Sequence, residues 1–161
     1  MDSARILVVS DTHGAMHHFL PAVPLEHVDH ILFAGDGYDE AMATFTRLKV
    51  IDRVYAVAGN CDGRPAFADV EVTLAGWPIW VTHGDRWGVK ESYETIALEA
   101  KRRGARLVVF GHSHRAHHEE RHGVHLFNPG SPLEPRGGTR PSMGWITLTP
   151  DQCWFEHLVL A

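Results

Sequence analysis

The sequence predicts an α/β protein, of the kind also described as α+β, in which two sheets pack together with helices outside them. Two observations predict this class. Short apolar runs alternate with segments of helical period in the first two thirds of the chain, and the last third contains pairs of runs joined by turns. The 161 residues contain no internal repeat, low-complexity tract or linker, so we predict a single domain over residues 1–161.

The apolar runs are the predicted strands. They are almost entirely aliphatic or β-branched rather than alternating, which is typical of strands covered on both faces. They cover residues 6–9, 31–34, 54–57, 79–81 and 107–110. In the last third, residues 119–121 and 124–127 flank the turn His122-Gly123, and residues 145–148 and 154–160 flank a second turn. These segments are predicted as antiparallel pairs.

Apolar residues at helical spacing predict three helices. One covers residues 93–103, where basic residues and then Gly104 mark a helix end. A second covers residues 16–23, but Pro21 and Pro24 predict that it is short or broken. A third, around residues 41–48, rests on Ala41, Phe45 and Leu48.

The composition excludes several classes of protein. Twenty acidic and fifteen basic residues give a net charge of −5, which argues against a protein that holds nucleic acid through a basic surface. No apolar run is long enough for a membrane span, and the first residues lack the pattern of a signal peptide. Cys61 and Cys153 are far apart, without CxxC spacing. We therefore expect a soluble, cytoplasmic protein that binds neither membrane nor nucleic acid.

Each apolar run ends beside a residue that can bind a metal. The residues are Asp11 and His13, then Asp36, Asn60, His83, and His112 with His114. Sites in sheets with parallel strands form beyond the carboxyl ends of the strands, so we expect these side chains to meet. Buried carboxylates and imidazoles need partners, and a shared cluster of cations supplies them all. This donor set, without a set of thiolates, suits Mn, Fe, Co, Ni or Zn.

Six short motifs in a fixed order carry a family resemblance. They are Ser10-Asp11-Thr12-His13-Gly14, Gly35-Asp36, Gly59-Asn60-Cys61-Asp62, Thr82-His83-Gly84, Gly111-His112-Ser113-His114 and Asn128-Pro129-Gly130-Ser131. With them the chain resembles the calcineurin-like metallophosphoesterases, and within these the small single-domain phosphodiesterases of bacteria and archaea. The resemblance implies the metallophosphoesterase fold, a four-layer sandwich of two mixed β-sheets flanked by helices.

The resemblance also implies a binuclear metal centre. Asp11, His13 and His114 would bind one divalent ion, Asn60, His83 and His112 the other, and Asp36 would bridge them. Mn is the favoured metal, and a hydroxide between the ions would attack the phosphorus of a small phosphate ester. Asp36, Asn60 and His83 are the candidate catalytic residues. Relatives in this group form dimers or tetramers, so the resemblance extends to a homo-oligomer.

Two positions depart from the family pattern. Cys61 stands where the larger family has a histidine associated with protonating the leaving group, although the small phosphodiesterases commonly have cysteine there. We hypothesise a preference for aryl esters, whose leaving groups need little protonation. The alternative is that Cys61 only fills space beside Asn60, and the role of Asp62 stays open. Asp85, where the group often has histidine, either orients a ligand imidazole or pairs with Arg86.

Other residues receive structural interpretations. The Asn128-Pro129-Gly130-Ser131 loop is expected to hold the site. The remaining histidines are expected to be solvated or structural, although His117 and His118 follow the metal motif and are within reach of a substrate; the set is His17, His18, His27, His30, His117, His118, His122, His125 and His157. The tryptophans are expected in the core or on a hydrophobic surface, with Trp87 as an alternative flank for a base or aryl group.

Two other functions compete with hydrolysis. A subunit of the retromer sorting complex shares the family fold and works chiefly as an interaction surface, but proteins of that kind depart from the full ligand set. Larger relatives are nucleases, which the acidic composition of this chain disfavours.

Overall fold

The computed structural model describes residues 3–14, 16 and 20–160, which form two five-stranded sheets packed face to face. The strands are β1 (Ala4–Val9), β2 (His30–Phe33), β3 (Val54–Ala56), β4 (Asp69–Leu74), β5 (Trp77–Thr82), β6 (Leu107–Val109), β7 (His117–Arg121), β8 (Val124–Asn128), β9 (Ser142–Leu148) and β10 (Cys153–Val159). The first sheet has the order β10-β9-β1-β2-β3, and the second has the order β4-β5-β6-β8-β7.

Both sheets are mixed, with parallel strands at their centres. In the first sheet β1, β2 and β3 run parallel, with Ile6 opposite His30, while β9 and β10 are antiparallel. In the second sheet β5, β6 and β8 run parallel, and the antiparallel strands β4 and β7 form the edges. The loops that carry the predicted ligands therefore follow parallel strands of both sheets.

Three apolar layers hold the sandwich together. Ile6, Val8 and Trp77 belong to the layer between the sheets. Outside the first sheet lies α1 (Tyr38–Arg47), whose Phe45 is fully buried, and outside the second lies α2 (Glu94–Arg102), whose Ile96 is also fully buried. This arrangement confirms the expected four-layer sandwich of two mixed sheets flanked by helices.

Most predicted elements are present. The five apolar runs form β1, β2, β3, β5 and β6, the paired segments form β7 to β10, and two predicted helices are α1 and α2. In the turn between β7 and β8, His122 and Gly123 both have a positive φ, as a tight hairpin requires. No helix in the described part of the chain has the length and apolar character needed to span a membrane.

Two segments differ from the expectation. Strand β4 was not predicted, because its exposed and half-buried residues alternate along the edge of the sheet and form no apolar run. In the segment 16–23, a short 3-10 helix covers Leu20–Ala22, as the prolines predict, and another 3-10 helix follows this segment at Leu25–His27. His17, His18 and part of that predicted helix lie outside the described residues.

Candidate metal centre

The site forms where the loops of the two sheets meet. Asp11 and Asp36 follow β1 and β2 of the first sheet, whereas His83, His112 and His114 follow β5 and β6 of the second. The loops are joined by backbone hydrogen bonds: the N–H of Asp11 donates to the Gly35 carbonyl at 2.9 Å, and that of Gly111 donates to the His83 carbonyl at 2.9 Å. These bonds join the loops within each sheet, and the N–H of His112 donates to Oδ2 of Asp11 at 3.1 Å, so loops from both sheets meet at one site.

Asp11 has one oxygen bound by the protein and one oxygen free. Its Oδ2 accepts hydrogen bonds from the Ser10 hydroxyl at 2.9 Å and from the His112 N–H at 3.1 Å. Its Oδ1 is buried without a hydrogen-bond partner and lies 3.4 Å from Nε2 of His114 and 3.8 Å from Nε2 of His83. A fully buried carboxylate oxygen without a partner is costly unless a cation completes its surroundings.

The two buried imidazoles are oriented in the same way. Nδ1 of His83 lies 2.7 Å from the Ala34 carbonyl, and Nδ1 of His114 lies 2.8 Å from the Glu134 carbonyl. Because a carbonyl only accepts, each Nδ1 carries a hydrogen, and each Nε2 is left to face the carboxylates. Nε2 of His83 is a second buried atom without a hydrogen-bond partner. This is the orientation of a metal-binding histidine.

Asp36 lies between the two groups of histidines. Its Oδ1 accepts the N–H of Cys61 at 2.9 Å, which leaves Oδ2 at 3.3 Å from Nε2 of His83 and 3.9 Å from Nε2 of His13. The carboxylate is 3 % exposed. Asp36 therefore stands where a bridging ligand is expected.

Two sets of ligand atoms lie within 4.8 Å of one another: Asp11, His13 and His114 in the first, and Asp11, Asp36 and His83 in the second. The first set is the trio that the family resemblance implies for one ion. Carboxylate and imidazole donors suit a borderline divalent cation, and the two partnerless atoms of Asp11 and His83 face this space. The residues present therefore fit a divalent metal.

Asn60 and His112 stand at the margin of these sets. Asn60 is exposed, and its amide lies 3.7 Å from the Cys61 sulfur rather than against a carboxylate. The ring of His112 packs edge-on against His83 with centroids 5.1 Å apart. The structure therefore brings five of the seven predicted ligands into two sets that share Asp11, and these two residues are in neither set.

The backbone is strained at five of the seven predicted ligand positions. Each adopts a positive φ, which is uncommon for residues other than glycine: Asp11 (55°), His13 (44°), Asp36 (60°), His112 (70°) and His114 (59°) are the ligand positions concerned, four of them within the two sets. Such conformations cost free energy and cluster at functional sites. Residue Gly35 is constrained differently, since a Cβ there would lie 2.7 Å from Nδ1 of His83.

The charged groups of the site shift one another's pKa values. Burial acts to lower the pKa of His83, but the carboxylates of Asp36 and Asp11 outweigh it and raise that pKa to about 9. Burial acts to raise the pKa of Asp36, but His83 and the N–H of Cys61 hold it well below its usual range. In contrast, burial and the neighbouring His83 lower the pKa of His112. The site therefore holds the Asp36 carboxylate ionised and prefers a positive charge at its centre.

Asp62 has a structural role that the sequence did not reveal. Its Oδ2 accepts the N–H groups of Asp36 at 2.8 Å and Gly59 at 2.7 Å, and its Oδ1 accepts those of Gly37 at 2.9 Å and Tyr38 at 3.1 Å. The carboxylate thereby joins two ligand loops and lies at the amino end of α1. Its place in the motif after Asn60 is the one sequence signal that pointed to it.

The loop Asn128-Pro129-Gly130-Ser131 supports the site, in keeping with the structural interpretation. The amide of Asn128 donates to the Gly111 carbonyl and to the Ser113 hydroxyl oxygen, both at 3.1 Å. The Ser131 hydroxyl donates to the Asp11 carbonyl at 2.8 Å. The loop therefore contacts the backbone of both ligand loops.

Several alternatives from the sequence resolve in the structure. Trp87 packs edge-on against Trp80, at 5.4 Å, in the layer beneath α2 rather than at the pocket. His117 stacks on Tyr93 and pairs with Glu119. Among the described residues Asp85 makes no ion pair with Arg86, and Cys61 is exposed, so it is not a space-filling residue.

Comparison with known proteins agrees with this geometry. Residues 4–151 match the calcineurin-like phosphoesterase superfamily domain. The chain is 34% identical to the probable metallophosphoesterase YsnB of Bacillus subtilis over 151 residues, which cover 91% of this chain and 86% of the relative. It is 30% identical to the phosphodiesterase YfcE of Escherichia coli over 125 residues, 69% of this chain and 61% of the relative.

The fold is shared more widely than the sequence. The structure of a Vps29 mutant from Entamoeba histolytica superposes with a TM-score of 0.77 and 17% identity, covering 96% of this chain and 99% of that chain. The family assignment rests on the match of residues 4–151 to the superfamily domain and on the identity to the curated relatives. This chain belongs to the calcineurin-like phosphoesterase superfamily, within its small bacterial and archaeal group, and is a phosphoric ester hydrolase.

Proposed function

We propose that the chain is a phosphodiesterase that hydrolyses small phosphate diesters at a binuclear metal centre. The observation that carries the proposal is the pair of buried, partnerless atoms, Oδ1 of Asp11 and Nε2 of His83, that face each other at 3.8 Å. Two divalent ions bound there, with Mn favoured, would supply a hydroxide at neutral pH and polarise the phosphoryl oxygens for in-line displacement.

The residues of the chain prepare this chemistry before any substrate arrives. The Ala34 and Glu134 carbonyls hold the His83 and His114 rings with Nε2 toward the carboxylates. The N–H of Cys61 fixes Oδ1 of Asp36, so that only Oδ2 turns inward. Such preorganisation removes the free energy cost of reorienting ligands during the reaction.

Charge balance favours a diester over a monoester. Two dications bring a charge of +4, and the carboxylates of Asp11 and Asp36 contribute −2, so a hydroxide and a diester monoanion neutralise the site. A monoester dianion leaves an excess negative charge. The difference is a preference and not an exclusion.

Metal content and ester hydrolysis together test the proposal. We expect the purified protein to bind Mn and to hydrolyse bis(p-nitrophenyl) phosphate faster than p-nitrophenyl phosphate. Asp36→Ala removes the central carboxylate and should lower diester hydrolysis by roughly a thousandfold or more. Asp39→Ala is the matched control, because Asp39 is an exposed aspartate paired with Arg64; it should keep full activity. Absence of metal-dependent hydrolysis of either ester contradicts the proposal.

A scaffold is the competing function, and the likeness to the fold of Vps29 favours it. Bound metal without turnover of either ester would support the scaffold. The complete set of ligand residues in this chain supports the hydrolase instead. The net charge of −5 weighs against a nuclease.

A further inference from the structure

A small basic cavity lies directly beside the candidate metal centre. It has a volume of about 120 Å³ and is lined by Lys90, Ser113, Arg115 and Arg136. Ser113 separates the two predicted ligands His112 and His114, and the N–H of Arg136 donates to the His114 carbonyl at 2.9 Å. The cavity therefore shares its wall with the ligand loop that follows β6.

The positive charges of this cavity are not neutralised by the protein. In the described part of the chain, Lys90, Arg115 and Arg136 form no ion pair, and none of the lining residues is a carboxylate. Some arginines elsewhere in the molecule do form ion pairs, such as Arg64 with Asp39 and Arg103 with Glu71. In a chain with a net charge of −5, three unpaired cations around one cavity indicate an anionic ligand.

Ser113 adds a buried hydrogen-bond donor to these charges. The residue is only 4 % exposed, and its hydroxyl oxygen accepts hydrogen bonds from the Asn128 amide and from the N–H of Arg115. The hydroxyl proton itself has no acceptor among the described residues. Since Ser113 lines the cavity, this proton is available to an oxyanion inside it.

The position of these charges is unfavourable for metal binding alone. Lys90, Arg115 and Arg136 line a cavity that shares its wall with the loop of His112 and His114, so their positive charges repel cations held by these histidines. An anion in the cavity reverses this effect, because it neutralises the basic side chains and attracts the dications. The basic residues therefore favour metal binding when a negatively charged ligand occupies both the cavity and the metal centre.

We propose that this cavity binds a second anionic group of the substrate, a phosphate or a carboxylate, while the scissile phosphodiester occupies the metal centre. The substrate class is then a phosphodiester that carries a second negatively charged group, and not a diester whose two ester groups are uncharged. This inference rests on the proposed function, since it assigns the rest of the substrate to the neighbouring site.

A matched pair of chromogenic substrates tests the inference. Thymidine 5′-(p-nitrophenyl phosphate) and its 3′-phosphorylated form release the same leaving group and differ by one phosphate. We expect a KM roughly tenfold lower for the 3′-phosphorylated form, as one charge-assisted contact would give. Lys90→Ala, Arg115→Ala and Arg136→Ala should each remove most of this preference, measured as the ratio of the two KM values within each variant.

Two control variants separate a local effect from a change of net charge. Arg140→Ala removes a charge from the loop that carries Arg136, and Lys101→Ala removes one from the carboxyl end of α2; neither residue lines the cavity. Both should keep the preference. A preference that survives in the triple variant of Lys90, Arg115 and Arg136 would show that the metals alone bind the extra phosphate, and would overturn the inference.

Direct binding provides a readout that needs no turnover. Inorganic pyrophosphate is titrated calorimetrically into protein freed of both metal and chelator, since a chelator is itself an anion. We expect binding in the wild type and its loss in the triple variant. Diester hydrolysis with neither substrate preference nor pyrophosphate binding rejects the cavity but keeps the proposed function. Pyrophosphate binding that depends on the three residues, without hydrolysis of any ester, rejects the function but keeps the cavity.

Discussion

The carboxylate of Asp62 accepts the backbone N–H of Asp36 at 2.8 Å, so one aspartate positions the other. The same carboxylate accepts three more N–H groups, from Gly37, Tyr38 and Gly59. The loop after β2 and the loop after β3 are thereby held together at the candidate metal centre.

Replacing Asp62 should destabilise the protein and disorganise the site. Asp62→Ala leaves four N–H groups without their acceptor, and we expect the free energy of unfolding to fall by about 2–4 kcal/mol. Asp62→Asn keeps one oxygen and should cost less. Urea unfolding measures the difference, and Asp52→Ala, at an exposed position, serves as the control. Equal stability of Asp62→Ala and the wild type would contradict this role.

Stability of the metal-free protein should fall as the pH rises from about 6.5 to about 9. The pKa of His83 is raised from 6.5 to about 9 by Asp36 and Asp11 against the opposing effect of burial. A raised pKa stabilises the folded state below the unfolded pKa, and this stabilisation disappears as pH passes the folded pKa. The full effect is up to about 3 kcal/mol.

Urea unfolding at several pH values, after removal of metal, measures this slope. His83→Gln should remove most of the slope, because glutamine does not titrate, and a smaller part remains from His114, whose pKa Asp11 also raises. Metal affinity should show the opposite trend and increase with pH, since an ion displaces the proton from His83. Identical stability of the metal-free wild type at pH 6.5 and pH 9 would refute the assignment.

A methyl group at Gly111 should disturb the metal centre specifically. A Cβ there would lie 2.5 Å from Oδ2 of Asp11 and would also meet the Ser10 hydroxyl, so Gly111→Ala displaces the carboxylate. We expect metal affinity to fall at least about tenfold, with a loss of roughly 1–3 kcal/mol in stability. Gly123→Ala, in the open turn between β7 and β8, should cost about 1 kcal/mol through its positive φ and leave metal affinity unchanged. Calorimetric titration with Mn compares the two variants.

The protonation of the leaving group should depend on residue 61. Burial and the charge of Asp36 raise the pKa of the Cys61 thiol, which makes it a weaker acid than an ordinary cysteine. We expect aryl diesters to be hydrolysed much faster than alkyl diesters, and Cys61→Ser to change the aryl rate only a few-fold. Cys61→His should increase alkyl diester hydrolysis. Equal kcat/KM for aryl and alkyl diesters in the wild type would remove this explanation.

The strands that the sequence predicted are those whose own composition identifies them. The apolar runs of β1, β2, β5 and β6 are buried on both faces, so their composition alone identifies them. The ligands Asp11, Asp36 and His83 follow these runs directly, which is why their meeting at one edge was predictable. Strand β4 has neither property, since it is an edge strand with alternating exposure.

The remaining features depend on contacts between distant loops. The four hydrogen bonds of Asp62 exist only once the loops after β2 and β3 have met, and no residue spacing encodes them. The exposure of Asn60 and the positive φ of Asp11 are likewise not encoded in the spacing of residues. The cavity lined by Lys90, Arg115 and Arg136 lies between the loop before α2 and the loops before β7 and β9. Because these loops are distant in the chain, the sequence did not predict the cavity.

In the candidate centre, Asp11 and Asp36 follow strands of one sheet, whereas His83 and His114 follow strands of the other. A cation bound there would therefore link the two sheets of the sandwich. Separation of the two sheets would then require release of the ion. Adding Mn should slow amide hydrogen exchange in β1 and in β6 to the same degree, although the two strands share no backbone ladder.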